Sequence, residues 1–305
     1  MTSPVAAELL KLADCADEVL AVGRFKHSEL LKPGVLYRSA KVSSELRKSD
    51  FDLAIEFSAN TETGIILQLA HPRHRLHGTK TLNKGLGMIL ERFTRSILQR
   101  PPKLIHLAQE YLRMLEPLGV RPLEAEPRLV TDRVSDEFIE KLLRKHSADF
   151  GELLVGIHPG AGAAKQSWPM ERFASIGARM IYNFDARVMV FSGPWERGAA
   201  KKLAEKLPAK RAIVIESPKL ADFVSAAARL SLFIANHSGP AHIAAAGGAP
   251  VVAISQTSGP SSRDLLGAQH KHLRGSHVEL ISEEEVYEAA CQLLKISRAE
   301  ILRTR

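Results

Sequence analysis

Three short stretches combine residue types and spacings that suit phosphate chemistry. The first is His158-Pro159-Gly160-Ala161-Gly162-Ala163-Ala164-Lys165-Gln166-Ser167-Trp168-Pro169. Its small residues let backbone N–H groups approach a diphosphate, and Lys165 would supply the compensating charge. The same composition also suits a plain turn bearing a solvated lysine. Trp168 reads more as a core anchor than as a stacking platform for a base. The second stretch, Ser192-Gly193-Pro194-Trp195-Glu196, ends in a carboxylate that could contact a ligand or simply complement a helix start. The third, Asn236-His237-Ser238-Gly239-Pro240, opens a small-residue helix running to Ala246. There Pro240 suits the first helical turn, and Gly239 admits a close ligand. The free N–H groups make an anion site at the positive end of the dipole. His242 falls one helical turn beyond Ser238, a position from which it would brace the loop from inside the domain.

Each stretch follows an apolar run. Strands are expected at Leu153–Ile157, Arg187–Phe191, Ala212–Ile215, Leu232–Ala235 and Val251–Ser255. Helices should alternate with them at Met170–Ile181, Glu196–Lys206, Leu220–Ala228 and Pro240–Ala246. Such alternation implies a parallel, doubly wound sheet whose ligands bind beyond the carboxyl ends of its strands, so the three stretches should share one rim. A last helix, Ser282–Leu294, carries Ser282 and Glu285 at capping-box spacing.

The first half is less regular. A helix is expected over Ala6–Ala13, a strand over Glu18–Val22, a helix over Ser43–Arg47 and a strand over Phe51–Phe57. Ser58-Ala59-Asn60 should form a loop leading into a helix through Ile65 and Leu69. Thr79–Arg100 resists assignment. Lys103–Leu118 has the pattern of an amphipathic helix, with His106 exposed or capping and Gly119 as its C-cap. Prolines and charges between Val120 and Arg133 read as a linker, which divides the chain into domains 1–133 and 134–305.

With 305 residues, 45% hydrophobic and 25% charged, the chain has the composition of a globular protein with room for two cores. No apolar run reaches the ~18 residues of a membrane span, and no signal sequence is apparent, so a cytoplasmic protein is expected. Its two cysteines, Cys15 and Cys291, lack metal-site spacing and read as packing residues. The net charge of +8 favours anionic partners, but scattered Lys and Arg argue against nucleic acid.

The three stretches, in this order and spacing, resemble the heptosyltransferases of lipopolysaccharide assembly, glycosyltransferase family nine. The resemblance is carried by His158 to Ala161, by Lys165 with Trp168-Pro169-Met170-Glu171-Arg172-Phe173, by Ser192 to Glu196, and by Asn236 to Ala246. Phe51 to Ile55 with Asn60, and the segment from His106 to Gly119, add weaker matches. The chain departs from the family in three places. It has no counterpart of an N-terminal strand and Gly-Asp turn, it has His237 where the family has Asp, and Lys165 stands three rather than two residues before Trp168.

The resemblance implies an α/β GT-B fold, two Rossmann-like domains facing a cleft, with the N-terminal acceptor-side domain incomplete. It implies metal-independent, inverting transfer of a sugar, heptose in the type case, from an ADP-sugar to a lipid-linked, lipopolysaccharide-type saccharide, with no cofactor. Peripheral contact with an anionic membrane at the inner face of the inner membrane is expected. By the same resemblance Gly160, Ala161, Lys165, Glu196, Ser238, Gly239 and His242 would bind the nucleotide-sugar. Lys165 and His237 are the catalytic candidates, and Asn60 lies on the acceptor side. The rival reading is a nucleotide-sugar-binding protein impaired in catalysis.

Overall fold

The computed structural model describes residues 2–22, 33–57, 61–77, 106–120, 126–148, 151–162, 167–208 and 210–303. These form two compact units, Met1–Ala21 with Glu126–Arg305, and Val22–Ala125. The division differs from 1–133 and 134–305 at both ends, for a main-chain reason. Leu129 N–H donates to Ala246 O and Val130 N–H to Leu12 O, each at 2.8 Å, which joins the supposed linker and the first helix, Pro4–Leu12, to the C-terminal unit. The strand expected at Glu18–Val22 is reduced to a single parallel bridge between Thr2 and Ala21.

Among the described residues of the second unit is one parallel step: β1 (Leu53–Glu56), helix Thr61–Ala70 and β2 (His74–His77), with Leu53 opposite His74. Helix Pro33–Lys48 packs on Thr61–Ala70, and the buried Ser43 hydroxyl reaches the Ser39 and Ile66 carbonyls at 2.7 and 3.1 Å. The helix expected over Lys103–Leu118 is described as Leu107–Arg113 followed by a 3-10 turn, Glu116–Leu118. His106 caps it, Nδ1 accepting the Ala108 N–H at 3.1 Å, and Gly119 ends the turn at φ 76°.

In the first unit six strands run parallel in the order β5-β4-β3-β6-β7-β8. These are β3 (Leu154–His158), β4 (Arg187–Ser192), β5 (Ala212–Glu216), β6 (Leu232–Asn236), β7 (Val251–Gln256) and β8 (His270–Gly275). β3, β4, β6 and β7 are buried along nearly their whole length, which accounts for their continuous apolar runs, because helices cover both faces. Val155, Ile157, Val188, Val190, Ile234 and Ile254 face helices Met170–Phe184 and Glu283–Arg303. Leu154, Met189, Phe191, Phe233, Ala235 and Ala253 share the opposite core with helices Arg133–Lys145, Leu220–Ala227 and Gly239–Ala246. Burial of each large side chain contributes about 1.5–3 kcal/mol to the sheet that carries the site.

β8 was not foreseen. His270-Lys271-His272-Leu273-Arg274 is too polar to read as a strand, and it pairs only as the edge beyond β7. The Ser282–Glu285 capping box is present, with Ser282 N–H to Glu285 Oε2 at 2.8 Å and Glu285 N–H to Ser282 Oγ at 3.2 Å. Cys15 is exposed rather than packed, and Cys291 is half-buried. Among the described residues no helix is long and apolar enough to cross a membrane.

Candidate functional site

The strand order reverses between β3 and β6, so the crevice at their carboxyl ends is where a ligand fits. Asn236, the last residue of β6 and 1% exposed, braces that crevice. Its Nδ2 donates to Pro159 O at 2.8 Å and Gly160 O at 3.1 Å, while its Oδ1 accepts the Trp168 N–H at 2.9 Å. Ser167 Oγ closes the same neck onto Pro159 O at 2.8 Å. One buried amide therefore holds both ends of the loop that carries Lys165. Trp168 is the core anchor expected of it, 1% exposed, its indole N–H on Ile281 O at 2.9 Å and its ring edge-on to Phe173.

The turn after β4 brings a carboxylate to the same crevice. Glu196 Oε2 accepts the Gly193 N–H at 3.1 Å and lies 3.1 Å from Nε2 of His158, the last residue of β3. The hydrogen bond from His158, reinforced by the Gly193 N–H, holds the Glu196 carboxyl below its usual range although burial works the other way. Gly160 makes this seat possible: a Cβ there would fall on the Glu196 carboxylate. His158 is itself buried, and its Nδ1 has no hydrogen-bond partner among the described residues.

At the third stretch, helix Gly239–Ala246 points its N-terminus at the rim. Ser238 is its N-cap, Pro240 stands in its first turn, and none of the described residues lies within 4 Å of where a Gly239 Cβ would be. The Ser238 hydroxyl donates back to Asn236 O at 3.0 Å, which leaves the helix N–H groups as the anion donors. His237 Nε2 sits 3.0 Å from Arg263 O, and its ring meets those of His242 and His272 edge-on, with centroids 5.1 and 6.2 Å apart. His272 is held on Leu265 O at 3.3 Å, and Asp264 receives Arg274 at 2.6 Å and the Ser261 N–H at 3.0 Å. Burial lowers the His272 pKa, whereas these donors keep Asp264 low against its own burial. His237, His272 and Asp264 thus secure the segment after β7 against the turn.

Gly160, Glu196, His237, Ser238, Gly239 and His242 all lie at this rim, and Ala161 follows Gly160 in the braced loop. Lys165 and Asn60 lie outside the described residues. Sequence reasoning passed over His158 and Asn236 as bracing groups and His272 and Asp264 as a third layer. A polar residue ending an otherwise apolar strand was the available signal for the first pair. The second pair belongs to β8 and the segment before it, which offered none. Among the described residues no group of three or more His, Cys, Asp or Glu side chains is arranged to hold a metal ion.

Residues 39–290 match the family model of glycosyltransferase family 9 (heptosyltransferase). A family 9 glycosyl transferase from Veillonella parvula superposes with TM-score 0.82 at 20% identity, over 96% of this chain and 88% of that one. The ADP-heptose LPS heptosyltransferase II of E. coli gives 0.71 at 17% identity, over 97% and 98% of the two chains. E. coli heptosyltransferase WaaC with ADP gives 0.73 at 16% identity, over 95% and 88%. The same enzyme with ADP-2-deoxy-2-fluoro heptose gives 0.69 at 16%, over 94% and 86%. The fold is accordingly the mixed α/β GT-B fold of the heptosyltransferases.

Proposed function

The chain belongs to glycosyltransferase family 9 and is a glycosyltransferase, and we propose that it transfers a sugar, heptose in the first instance, from an ADP-sugar to a lipid-linked, lipopolysaccharide-type saccharide. The observation that carries this reading is the placement, at the carboxyl ends of neighbouring strands, of a helix N-terminus left open by Gly239 after β6 and the acceptor-only carboxylate of Glu196 against the end of β3. The first suits a diphosphate and the second suits sugar hydroxyls. In an inverting displacement the acceptor hydroxyl oxygen bonds to the anomeric carbon as that carbon's bond to the diphosphate breaks, and the hydroxyl proton passes to a base or to solvent. Charge therefore grows on the leaving diphosphate. The helix N-terminus, the Gly160-Ala161 backbone and Lys165 would stabilise it in place of a metal, an effect of several kcal/mol in a pre-arranged site. His237 and Ser238 stand at the same turn, with His242 supporting it, and Asn60 is assigned to the acceptor side. The solved relatives carrying ADP and an ADP-heptose analogue support the donor class. The net charge of +8 suits work at an anionic, cytoplasmic membrane face.

Calorimetry with ADP, UDP and GDP, followed by a transfer assay with ADP-heptose and a lipid A-type acceptor, tests the proposal. Preference for ADP together with acceptor-dependent ADP release is expected. ADP binding without transfer to any saccharide acceptor would favour the nucleotide-sugar-binding alternative. Failure to bind any nucleotide diphosphate would remove both.

A further inference from the structure

We infer that His158 is a positioning residue for the donor site, seating the Glu196 carboxylate in the one orientation that leaves an oxygen for ligand hydroxyls. The inference rests on the reading of Glu196 as a donor contact. Glu196 lies on a turn, and an unrestrained glutamate side chain would rotate among several rotamers. Here its Oε2 is held from two sides, by His158 Nε2 and by the Gly193 N–H, each at 3.1 Å. The bare Cα of Gly160 provides the space for the carboxylate, so strand end, loop and turn meet at one group. With Oε2 occupied twice, Oε1 is the oxygen left to accept from a ligand.

The side chain doing the holding is itself fixed. His158 ends a strand paired on both sides, opposite Ala235 of β6 and next to β4, and only 4% of it is exposed. Its Nδ1 is buried without a partner among the described residues. Evolving protein cores rarely leave such a group unmatched, because burying a polar atom without a partner costs free energy. Packing alone would be served as well by an apolar residue, so it is the bond from Nε2 that explains an imidazole here.

The test measures ADP affinity of the full-length chain across pH 4–8 for wild type and five variants. His158→Gln keeps an N–H at about the reach of Nε2. His158→Asn and His158→Ala do not, and Gly160→Ala places a methyl where the carboxylate sits. His158→Ala, His158→Asn and Gly160→Ala should each weaken ADP binding roughly 5- to 30-fold, the range for one charge-assisted hydrogen bond, with His158→Gln within about threefold of wild type. His158 also contributes the largest effect lowering the Glu196 pKa, so the acid loss of affinity should begin at higher pH in His158→Ala and stay in place in His158→Gln. Glu196→Gln is the separating control. If it weakens ADP binding while His158→Ala binds like wild type, the positioning role is overturned and the donor-site reading survives. Equal weakness of His158→Gln and His158→Ala with unshifted acid limbs would reduce His158 to packing and overturn the inference. A silent Glu196→Gln would instead refute the reading of Glu196, and the inference with it.

Discussion

The two ends of the six-stranded sheet use their polar groups in opposite ways. At the amino end, Arg187 opens β4 only 5% exposed, yet every nitrogen of its guanidinium is engaged. Nε and Nη2 reach Glu152 at 2.8 and 3.1 Å, Nη2 also reaches Ser147 O at 3.0 Å, and Nη1 reaches Lys210 O at 2.9 Å. Arg211 adds a bond to Glu152 at 2.6 Å and an ion pair to Asp185. At the carboxyl end, among the described residues, His158 Nδ1 and Ser192 Oγ are buried without partners and nothing crowds Gly239. A rim that only holds strands together can saturate its hydrogen bonds. A rim that receives a ligand keeps capacity in reserve and bears the cost, and the parallel fold supports this because all its strands end on the same side.

Perturbing each end separately should separate stability from binding. The largest effect is expected for Glu152→Ala, which strands the Arg187 charge in the interior. Denaturant titration should show a loss of about 3–5 kcal/mol, with ADP affinity unchanged in the protein that remains folded. A loss in affinity at constant stability would contradict the division. Asn236→Ala should do both kinds of damage, because its amide braces the ligand loop from inside the core. About 2 kcal/mol of stability and roughly tenfold in ADP affinity should go together, as read by thermal melts and calorimetry. Lys165→Ala should affect binding alone, weakening ADP by about 1–3 kcal/mol with Tm unmoved, and an unchanged Kd would return this lysine to the solvated surface.

The smallest effect concerns Glu196 and the pH dependence of stability. Its carboxyl is held below the usual range, chiefly by His158, so its contribution is complete above the ordinary value near 4.5 and disappears as pH falls through the lowered one. Wild type and Glu196→Gln should differ by no more than about 1 kcal/mol at neutral pH, since the group is partly solvated. The gap should close below about pH 4.5. A gap that persists unchanged into acid would mean that the carboxylate is not held as described.

Much of this was legible in the residues themselves. Apolar runs of strand length, broken by small-residue turns and amphipathic helices, can be buried only as a parallel sheet covered on both faces, and that already places the three stretches on one rim. Motif order pointed to the family. Boundaries were less legible: residues 126–133 look like a linker because nothing local shows that Leu129 and Val130 find main-chain partners in distant helices. β8 escaped notice for a related reason, since an edge strand facing solvent needs no apolar pattern.

The sequence by itself determined what types of group could meet a diphosphate, because glycine at a turn, proline in a first helical turn and a lysine nearby act through local backbone geometry and charge. Tertiary structure alone decided how those groups are held. Asn236 reaches back to Pro159 and Trp168, and His158 reaches the Glu196 that sits under Gly160, through contacts between residues 36 to 77 positions apart along the chain. Such contacts depend on which strands become neighbours, and only the packed sheet, by placing β3 between β4 and β6, determines that.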